Sequence, residues 1–493
     1  MKEIDTHSIQ KVSIDIYSKS VENAKSIERN INTFVQDSLL PLIASYLDEL
    51  EKELKIDSIQ IPQINISLDL LEEDFLEPKI ILKAFMNQFK EVISKEIASN
   101  SKLNFKKVHS DELMLNSDPI GLSTKKEIDE EVLVLDPVIS LLKSWIYFLE
   151  NGHLPWWYPI EKARDTFEWA KLKPIMEKFG GDGNLLKYFQ HSPFFDRVIR
   201  QYRVKEIGEL IWIVIGSKSP IKKLQFKQIN ERLEDDKKLG FYRLIVALSI
   251  FEEKKGDWQL IAELYFSKVS KPNRKIVEKI FREVIKFDDI KARKDIVPSI
   301  IRILDDKVQT GNENPNDIRD RSEPKSIDKK ESYYISNSGL ILLHPFLKSF
   351  FLDCGLIDEK GNINNSETAV HALYYLSNRK EQPFDFELVF EKYLVGVAIN
   401  EEVNREVFLS EDIKDKTGKL LNALKVNWKR LGNTGIETIR NEFINRNGKL
   451  VFEENADRLI VERKGQDVLL ESISWNLSLI KLPWQKRHLL VEW

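Results

Sequence analysis

Cysteine is nearly absent from this sequence, because Cys354 is the only one among 493 residues. A disulfide within the chain is therefore excluded, and a cysteine-based zinc site has too few ligands. The seven histidines are scattered, and none stands at metal-ligand spacing from another. We expect no bound metal, no cofactor and a reducing compartment.

Signals for secretion and for membrane crossing are missing too. The first residues lack the basic start and the apolar core of a signal peptide. The most apolar run, residues 210–215, is far shorter than the ~20 residues that span a bilayer. The sequence therefore predicts a cytoplasmic protein with no membrane span.

Neither charge nor motifs indicate an enzyme or a nucleic-acid-binding protein. The chain has 75 basic and 79 acidic residues and a net charge of -4, so no bulk attraction to nucleic acid is expected. The motifs G-x-x-x-x-G-K-[ST], H-E-x-x-H and G-x-S-x-G do not occur. We predict no catalytic residues, and we interpret Cys354 as a buried structural thiol. His344 is interpreted as a core residue or as a hydrogen-bonded residue at a helix start.

The length predicts two to four domains, and two polar stretches divide the chain. Residues 106–131 and 305–332 mix many charges with turn-forming residues. We predict a linker at the first stretch and a disordered linker at the second. They separate an N-terminal α+β domain (1–105), a helical middle domain (132–304) and a C-terminal α+β domain (333–493).

The N-terminal domain carries two kinds of hydrophobic pattern. Residues 12–16 and 64–70 alternate between apolar and polar, whereas residues 22–54 and the stretch from Pro78 have apolar residues at helical spacing. Pro41 lies inside the first helical pattern and is expected to kink or split the helix. The predicted order is strand, helix, strand, helix.

The middle domain begins with a helix that has recognisable ends. The Asp-Pro pair at 136–137 favours a helix start, and the Asn-Gly pair at 151–152 favours a helix end. Trp156, Trp157 and Tyr158 follow between two prolines, in a rigid apolar segment. Two interpretations stay open: an anchor packed on its own domain, or a patch that docks a partner, since Trp and Tyr are enriched in interfaces.

The C-terminal domain is organised around residues 333–347, which predict a strand, a turn, an apolar run and a helix beginning near Pro345. Trp484 and Trp493 close the chain and are further candidates for docking. The fold class predicted from the whole sequence is α+β, mostly α-helical. Its C-terminal domain has helices over 370–377, 387–397 and 412–431, a capping box at Thr434 and Glu437, and strands near 450–452, 458–463 and 468–470.

Residues 334–347 (YISNSGLILLHPFL) resemble the C-terminal signature of the tape measure family of contractile injection systems, which are phage-tail-like particles of bacteria. Residues 152–157 (GHLPWW) and the N-terminal strand–helix–strand pattern look like the front half of the same family. The similarity is dense over 333–493 and patchy over 100–330. It continues, in order, at 391–396 (EKYLVG), Trp428, Arg440, 461–463 (VER), 467–470 (DVLL), 482–484 (LPW) and 491–493 (VEW).

The resemblance implies a role in particle assembly. A tape measure occupies the nascent tube and sets the length at which tube and sheath stop growing. The implied partners are tube, baseplate or cap proteins, and the implied location is the tube lumen of the assembled particle. No catalytic residues come with the family, and a homo-oligomer stays open.

A simple ruler needs reach. A fully helical chain of 493 residues would span about 740 Å, but the predicted helices are short and broken. Three possibilities stay open: the chain unfolds or stretches inside the tube, several copies act together, or it is an assembly factor built from the family's end domains without a long ruler between them. The alternative function is an adaptor or cargo-loading module of the same particle without a ruler role.

Overall fold

The structure is a computed structural model. Helices dominate, and a five-stranded mixed sheet lies near the C-terminus, so the predicted fold class is confirmed. The described residues are 9, 12, 14, 31, 33–54, 59–60, 64–68, 78–102, 133–134, 137–181, 185–190, 192–216, 223–233, 235–254, 331–358 and 361–493.

The chain divides into two compact units. The first consists of Met1–Ser144 with Trp156–Pro159, and the second of Trp145–Pro155 with Ile160–Trp493. The second unit therefore draws on both the predicted middle domain and the predicted C-terminal domain. The predicted linker 106–131 lies outside the described residues, as does most of the predicted linker 305–332. The proposed domain boundaries stay predictions.

Helices α1 (Leu40–Leu54) and α2 (Pro78–Lys102) carry the buried core of the first unit. Strands β1 (Ile59–Gln60) and β2 (Leu133–Val134) pair antiparallel in the same unit. The core cluster consists of Leu39, Ile43, Phe89 and Ile93, with the Tyr46 ring edge-on to Phe89 at 6.0 Å.

The predicted effect of Pro41 takes the form of a π-helical turn rather than a break. The turn spans Val35–Leu39 directly before α1, and the Leu40 N–H donates to the carbonyl of Val35. Proline has no N–H and its ring crowds the carbonyl four residues back. A wider turn just before the ring relieves that conflict while the helix continues.

Residues 64–68, which the sequence predicted as part of a strand, form no strand in the structure. Their burial nevertheless alternates, and Ile64 and Ile66 pack on the core cluster. A period of two marks one buried face, but a strand also needs a neighbouring strand in register. The predicted strand over 12–16 lies largely outside the described residues.

Within residues 137–254, the part of the middle of the chain that the structure describes, helices dominate, as predicted. Helix α3 begins at Pro137 and ends at Asn151, and Gly152 follows in the left-handed region with φ of 82°. The other described helices are α4 (Ile160–Thr166), α5 (Trp169–Phe179), α6 (Ser192–Gln201), α7 (Val204–Ile215), α8 (Lys223–Arg232) and α9 (Asp235–Lys254).

Residues 331–493 combine helices with the sheet. Residues 333–347, around which this domain was predicted to be organised, contribute to a strand, then form a 3₁₀ helix over Ser338–Leu343, and then begin a helix with Pro345 in its first turn. The described helices here are α10 (His344–Asp353), α11 (Ser366–Asn378), α12 (Val389–Val395), α13 (Glu411–Asn427) and the short α14 (Ile436–Ile439), which a π-helical turn, Arg440–Ile444, extends.

The sheet has the order β3-β4-β5-β7-β6, and β5 with β7 is its parallel pair. One row of paired residues, Tyr333, Leu450, Leu459 and Val491, faces the core. The strands are β3 (Ser332–Ile335), β4 (Gly448–Val451), β5 (Asp457–Val461), β6 (Leu479–Ile480) and β7 (Leu489–Glu492).

Two local predictions in this region are wrong. The predicted capping box of Thr434 and Glu437 does not form, because the N-cap of α14 is Gly435. The Glu437 carboxylate pairs with Arg440 at 2.5 Å instead, since an arginine attracts a carboxylate more strongly than a backbone N–H does. Residues 468–470 lie in a 3₁₀ helix, Gly465–Ser472, instead of a strand. There the Asp467 carboxylate accepts from the Lys464 N–H and starts a helical turn.

Candidate functional site

The turn at residues 337–339 joins β3 to the π-helical turn and to β4. The Ser338 N–H donates to the Arg446 carbonyl at 2.9 Å, and its hydroxyl donates to the same oxygen at 2.8 Å. A Cβ on Gly339 would lie 1.7 Å from the Phe443 carbonyl oxygen. Only glycine allows this close backbone approach, which gives a physical reason for the SNSG sequence.

The other motifs of the resemblance also contact each other. Arg446 binds Asp467 through Nη2 at 2.7 Å, and the indole of Trp493 donates to the same carboxylate at 3.1 Å. The indole of Trp428 donates to the Leu469 carbonyl at 3.0 Å. Motifs that are far apart in sequence therefore build one interlocked body.

Trp484 and Trp493, two of the predicted docking residues, are partly buried on their own unit. The Trp484 indole donates to the Leu394 carbonyl at 2.8 Å, and its ring lies 5.4 Å from that of Phe351. Arg446 lies 5.9 Å from the Trp493 ring. These contacts favour a packing role, and docking by either residue stays a prediction.

Trp156, Trp157 and Tyr158 belong to the first unit. The two tryptophans are partly buried, with their rings edge-to-face at 5.9 Å, and Tyr158 is 4% exposed. A docking role for this segment stays a prediction as well.

A buried ion cluster, Arg197, Asp385 and Lys392, lies inside the second unit. Arg197 Nε donates to Asp385 Oδ2 at 3.0 Å, and Lys392 Nζ lies 2.5 Å from Oδ1. All three side chains are fully excluded from solvent. The cluster therefore ties α6 to the 3₁₀ helix Asp385–Leu388 across 188 residues of sequence, and through Lys392 it also includes α12.

The two cations of the ion cluster also bind backbone carbonyls. Arg197 donates to the carbonyl of Leu149 in the last turn of α3, at 2.5 Å, where a positive charge is stabilised by the helix dipole. Lys392 donates to the carbonyls of Ile399 at 3.0 Å and Glu401 at 2.7 Å. Each buried donor thus has a partner, as burial of charge requires.

Gly152 leaves room for the Arg197 guanidinium. A Cβ at Gly152 would stand 2.9 Å from Arg197 Nη2 and 3.0 Å from the Ile399 carbonyl. Nη2 instead donates to the Asn400 carbonyl at 2.6 Å. The glycine therefore serves both the helix end predicted from sequence and the packing of the ion cluster.

Burial shifts the titration of the neighbouring groups. Burial lowers the pKa of Lys392, and the nearby Asp385 carboxylate opposes that shift. Burial also raises the pKa of Glu391 to about 8. Glu391 accepts a hydrogen bond from the Asn337 amide at 2.5 Å, and at pH 7 it is mainly protonated.

His344 and Cys354, the two other residues considered for a chemical role, both lie partly buried in the fold. His344 Nδ1 lies 3.0 Å from the Ile341 carbonyl, in the first turn of α10. Cys354 is partly buried, and burial raises the pKa of its thiol to about 11. Within the described ranges, no group of three or more His, Cys, Asp or Glu side chains could hold a metal ion. None of the described helices is long and apolar enough to cross a membrane.

The ion cluster is not among the sites predicted from the sequence. A signal was present in residues 384–395 (FDFELVFEKYLV), where charges interrupt an apolar stretch. Asp385 and Lys392 could have been suspected of burial from that pattern. Arg197 could not, because its counter-ion Asp385 is 188 residues away.

In the described residues of the second unit, buried charged groups bind the chain's own backbone, and motifs that are distant in sequence contact each other. A sequence model of the contractile injection system tape measure protein family matches residues 6–493. The chain therefore belongs to that family, which is a family of structural proteins. No curated protein and no solved structure gives a match to the chain.

Proposed function

We propose that this protein acts during particle assembly as the determinant of tube length, in contact with tube, baseplate or cap proteins. The observation that carries the proposal is the family match over residues 6–493. The chain would be made in the cytoplasm and would enter the tube lumen of the growing particle.

Deletion of the gene tests the assembly role. Particles from the deletion strain should be missing or should have an abnormal length distribution in electron micrographs, and the intact gene supplied in trans should restore them. Particles of normal number and length in the deletion strain would remove the proposal.

A second candidate is an adaptor or cargo-loading module with no ruler role, and the ion cluster supports it. The cluster joins Arg197, before residues 255–330, to Asp385 and Lys392, after them. Helix α9 and strand β3, which flank that segment, belong to the same compact unit. While this unit stays folded, residues inserted into the segment 255–330 would not change the distance between α9 and β3.

Insertions separate the two candidates. About 30 added helical residues contribute roughly 45 Å, so a ruler that stretches should lengthen the tube by a comparable amount. The same insert should act equally within 106–131 and within 305–330, because a stretched chain adds its segments end to end. An adaptor should leave tube length unchanged at both sites. A deletion of about 20 residues within 305–330 serves as the matched control, because only a ruler should shorten the tube in response.

A further inference from the structure

The loop that joins α12 to α13, residues 396–410, has no helix or strand but is held at successive backbone positions. Three of its carbonyls accept from the ion cluster, as described above. Gln201 on α6 donates to the next held carbonyl, that of Val403, at 2.9 Å. His371 Nε2 on α11 lies 2.8 Å from the Asn404 carbonyl.

The second half of the loop is held just as closely. The Arg405 N–H donates to the Arg200 carbonyl at 2.9 Å, and the Leu409 N–H donates to the Glu381 carboxylate at 3.0 Å. Leu409 is itself buried in the core. Loops of this length without secondary structure are uncommon, and many are functional. Buried side chains therefore hold the first half of this loop, and the backbone hydrogen bonds of Arg405 and Leu409 hold its second half.

Phe408 is displayed by this fixed backbone. Its side chain is 70% exposed, although Leu409 beside it is 6% exposed. A bulky aromatic on a rigid backbone loses little entropy when it enters a pocket, so it is suited to be an interface anchor.

The chain on both sides of Phe408 is rich in acidic residues. Residues 396–412 contain five carboxylates and one arginine. That arginine, Arg405, turns inward: its guanidinium lies 3.7 Å from the Phe384 ring centre and its Nε donates to the Gln382 carbonyl. The carboxylates are those of Glu401, Glu402, Glu406, Glu411 and Asp412.

Cations from other positions balance only part of this charge. Glu406 lies 3.5 Å from Arg203 in an exposed pair, which screens it weakly. Lys414 and Lys416 on α13 pair with the two carboxylates at the start of the same helix. No salt bridge within the described residues involves Glu401 or Glu402, so in this part of the chain three of the five carboxylates have a cationic partner and two do not.

We propose that Phe408 and its acidic rim dock another protein subunit of the particle, one with an apolar pocket bordered by lysine and arginine. An aromatic centre with a charged rim is the usual anatomy of a specific interface. The opposite charge of the partner's rim would speed encounter and fix orientation. This inference rests on the proposed function, because it assumes that the chain meets other particle subunits.

Photo-crosslinking locates the partner. A photo-reactive phenylalanine analogue replaces Phe408 in the full chain, which is expressed with the complete particle gene cluster. The same analogue at Val426, which is 73% exposed on α13, is the matched control. We expect a crosslink to another particle subunit from position 408 that exceeds the yield from 426 by at least about tenfold and weakens at high salt. Equal yields, or a crosslink only to this chain, would overturn the proposal.

Substitution measures the consequence. Phe408→Ala should lower particle yield by about tenfold or more, as expected for an interface anchor, whereas Val426→Ala should not. Both variants should keep the wild-type Tm, since the altered side chains lie mainly in solvent. Normal particles from Phe408→Ala, in a system where gene deletion abolishes them, would refute the docking surface and leave the assembly role intact.

Discussion

Removal of the Asp385 carboxylate is the sharpest test of how the second unit is held together. Asp385→Ala leaves Arg197 and Lys392 fully buried without their counter-ion. Lysine can release its proton when buried, but arginine cannot. At least one uncompensated buried charge therefore persists in the variant at neutral pH.

The expected loss of unfolding free energy is about 3–5 kcal/mol, the cost of breaking a buried pair by removing one partner. Two charge-assisted contacts at roughly 1.5–3 kcal/mol each give a similar range. A typical domain has only about 5–15 kcal/mol of stability. The variant should therefore lie close to the limit of folding at 37 °C.

Urea unfolding followed by tryptophan fluorescence measures the loss. The matched control is Asp165→Ala, because Asp165 pairs with Lys171 at the surface and its side chain is 63% exposed. Exposed pairs contribute about 0–1 kcal/mol, so this variant should remain close to wild type.

A triple replacement, Arg197→Met, Asp385→Leu and Lys392→Met, separates lost charge balance from lost volume. It removes all three charges and should be more stable than Asp385→Ala alone, although the carbonyls that the cations held lose their donors. If Asp385→Ala and Asp165→Ala unfolded within about 1 kcal/mol of each other, the structural role of the ion cluster would be refuted.

Two further predictions concern Glu391 and the glycines. The folded-state pKa of Glu391, about 8, lies above its ordinary value of 4.5, so the folded state holds a proton that the unfolded state releases. The stabilisation that protonated Glu391 contributes is fully present below about pH 4.5 and is lost as the pH rises through about 8. The Tm of Glu391→Gln should therefore fall less than the wild-type Tm between pH 5.5 and pH 9. Gly339→Ala should cost several kcal/mol or prevent folding, because its Cβ would collide with the Phe443 carbonyl. Gly418→Ala, inside α13 with open space around it, should instead stabilise the protein by about 0.5–1 kcal/mol in urea unfolding.

The predictions for Glu391→Gln and Gly339→Ala each have an outcome that would contradict them. Parallel Tm curves for wild type and Glu391→Gln across the pH range would mean that Glu391 is ionised in the fold. A soluble Gly339→Ala variant with a wild-type urea midpoint would mean that β3 and the π-helical turn do not approach as closely as described.

Local patterns determined much of the fold before any tertiary contact was known. Pro137 and Gly152 marked the ends of α3, and Pro345 marked the start of α10, because proline and glycine restrict or release the backbone at their own positions. The motif at 334–347 indicated the family, and the match over the chain confirmed it.

Where a pattern depends on a distant partner, local reasoning was incomplete. Residues 64–68 show the alternating burial of a strand but no strand pairing, and residues 468–470 follow the cap at Asp467 into a 3₁₀ helix. Hydrophobic periodicity reports which side of a segment is buried. It does not report whether a neighbouring strand is available.

The sequence by itself determined a mostly helical chain of the tape measure family, with one cysteine and no recognisable catalytic motif. Tertiary structure alone decided that Arg197, Asp385 and Lys392 share a solvent-free cluster, and that Phe408 stands exposed on a loop which that cluster helps to hold. The physical reason is the distance along the chain over which each effect acts. Backbone preferences act over a few residues, whereas desolvation and ion pairing depend on groups that only the fold brings together.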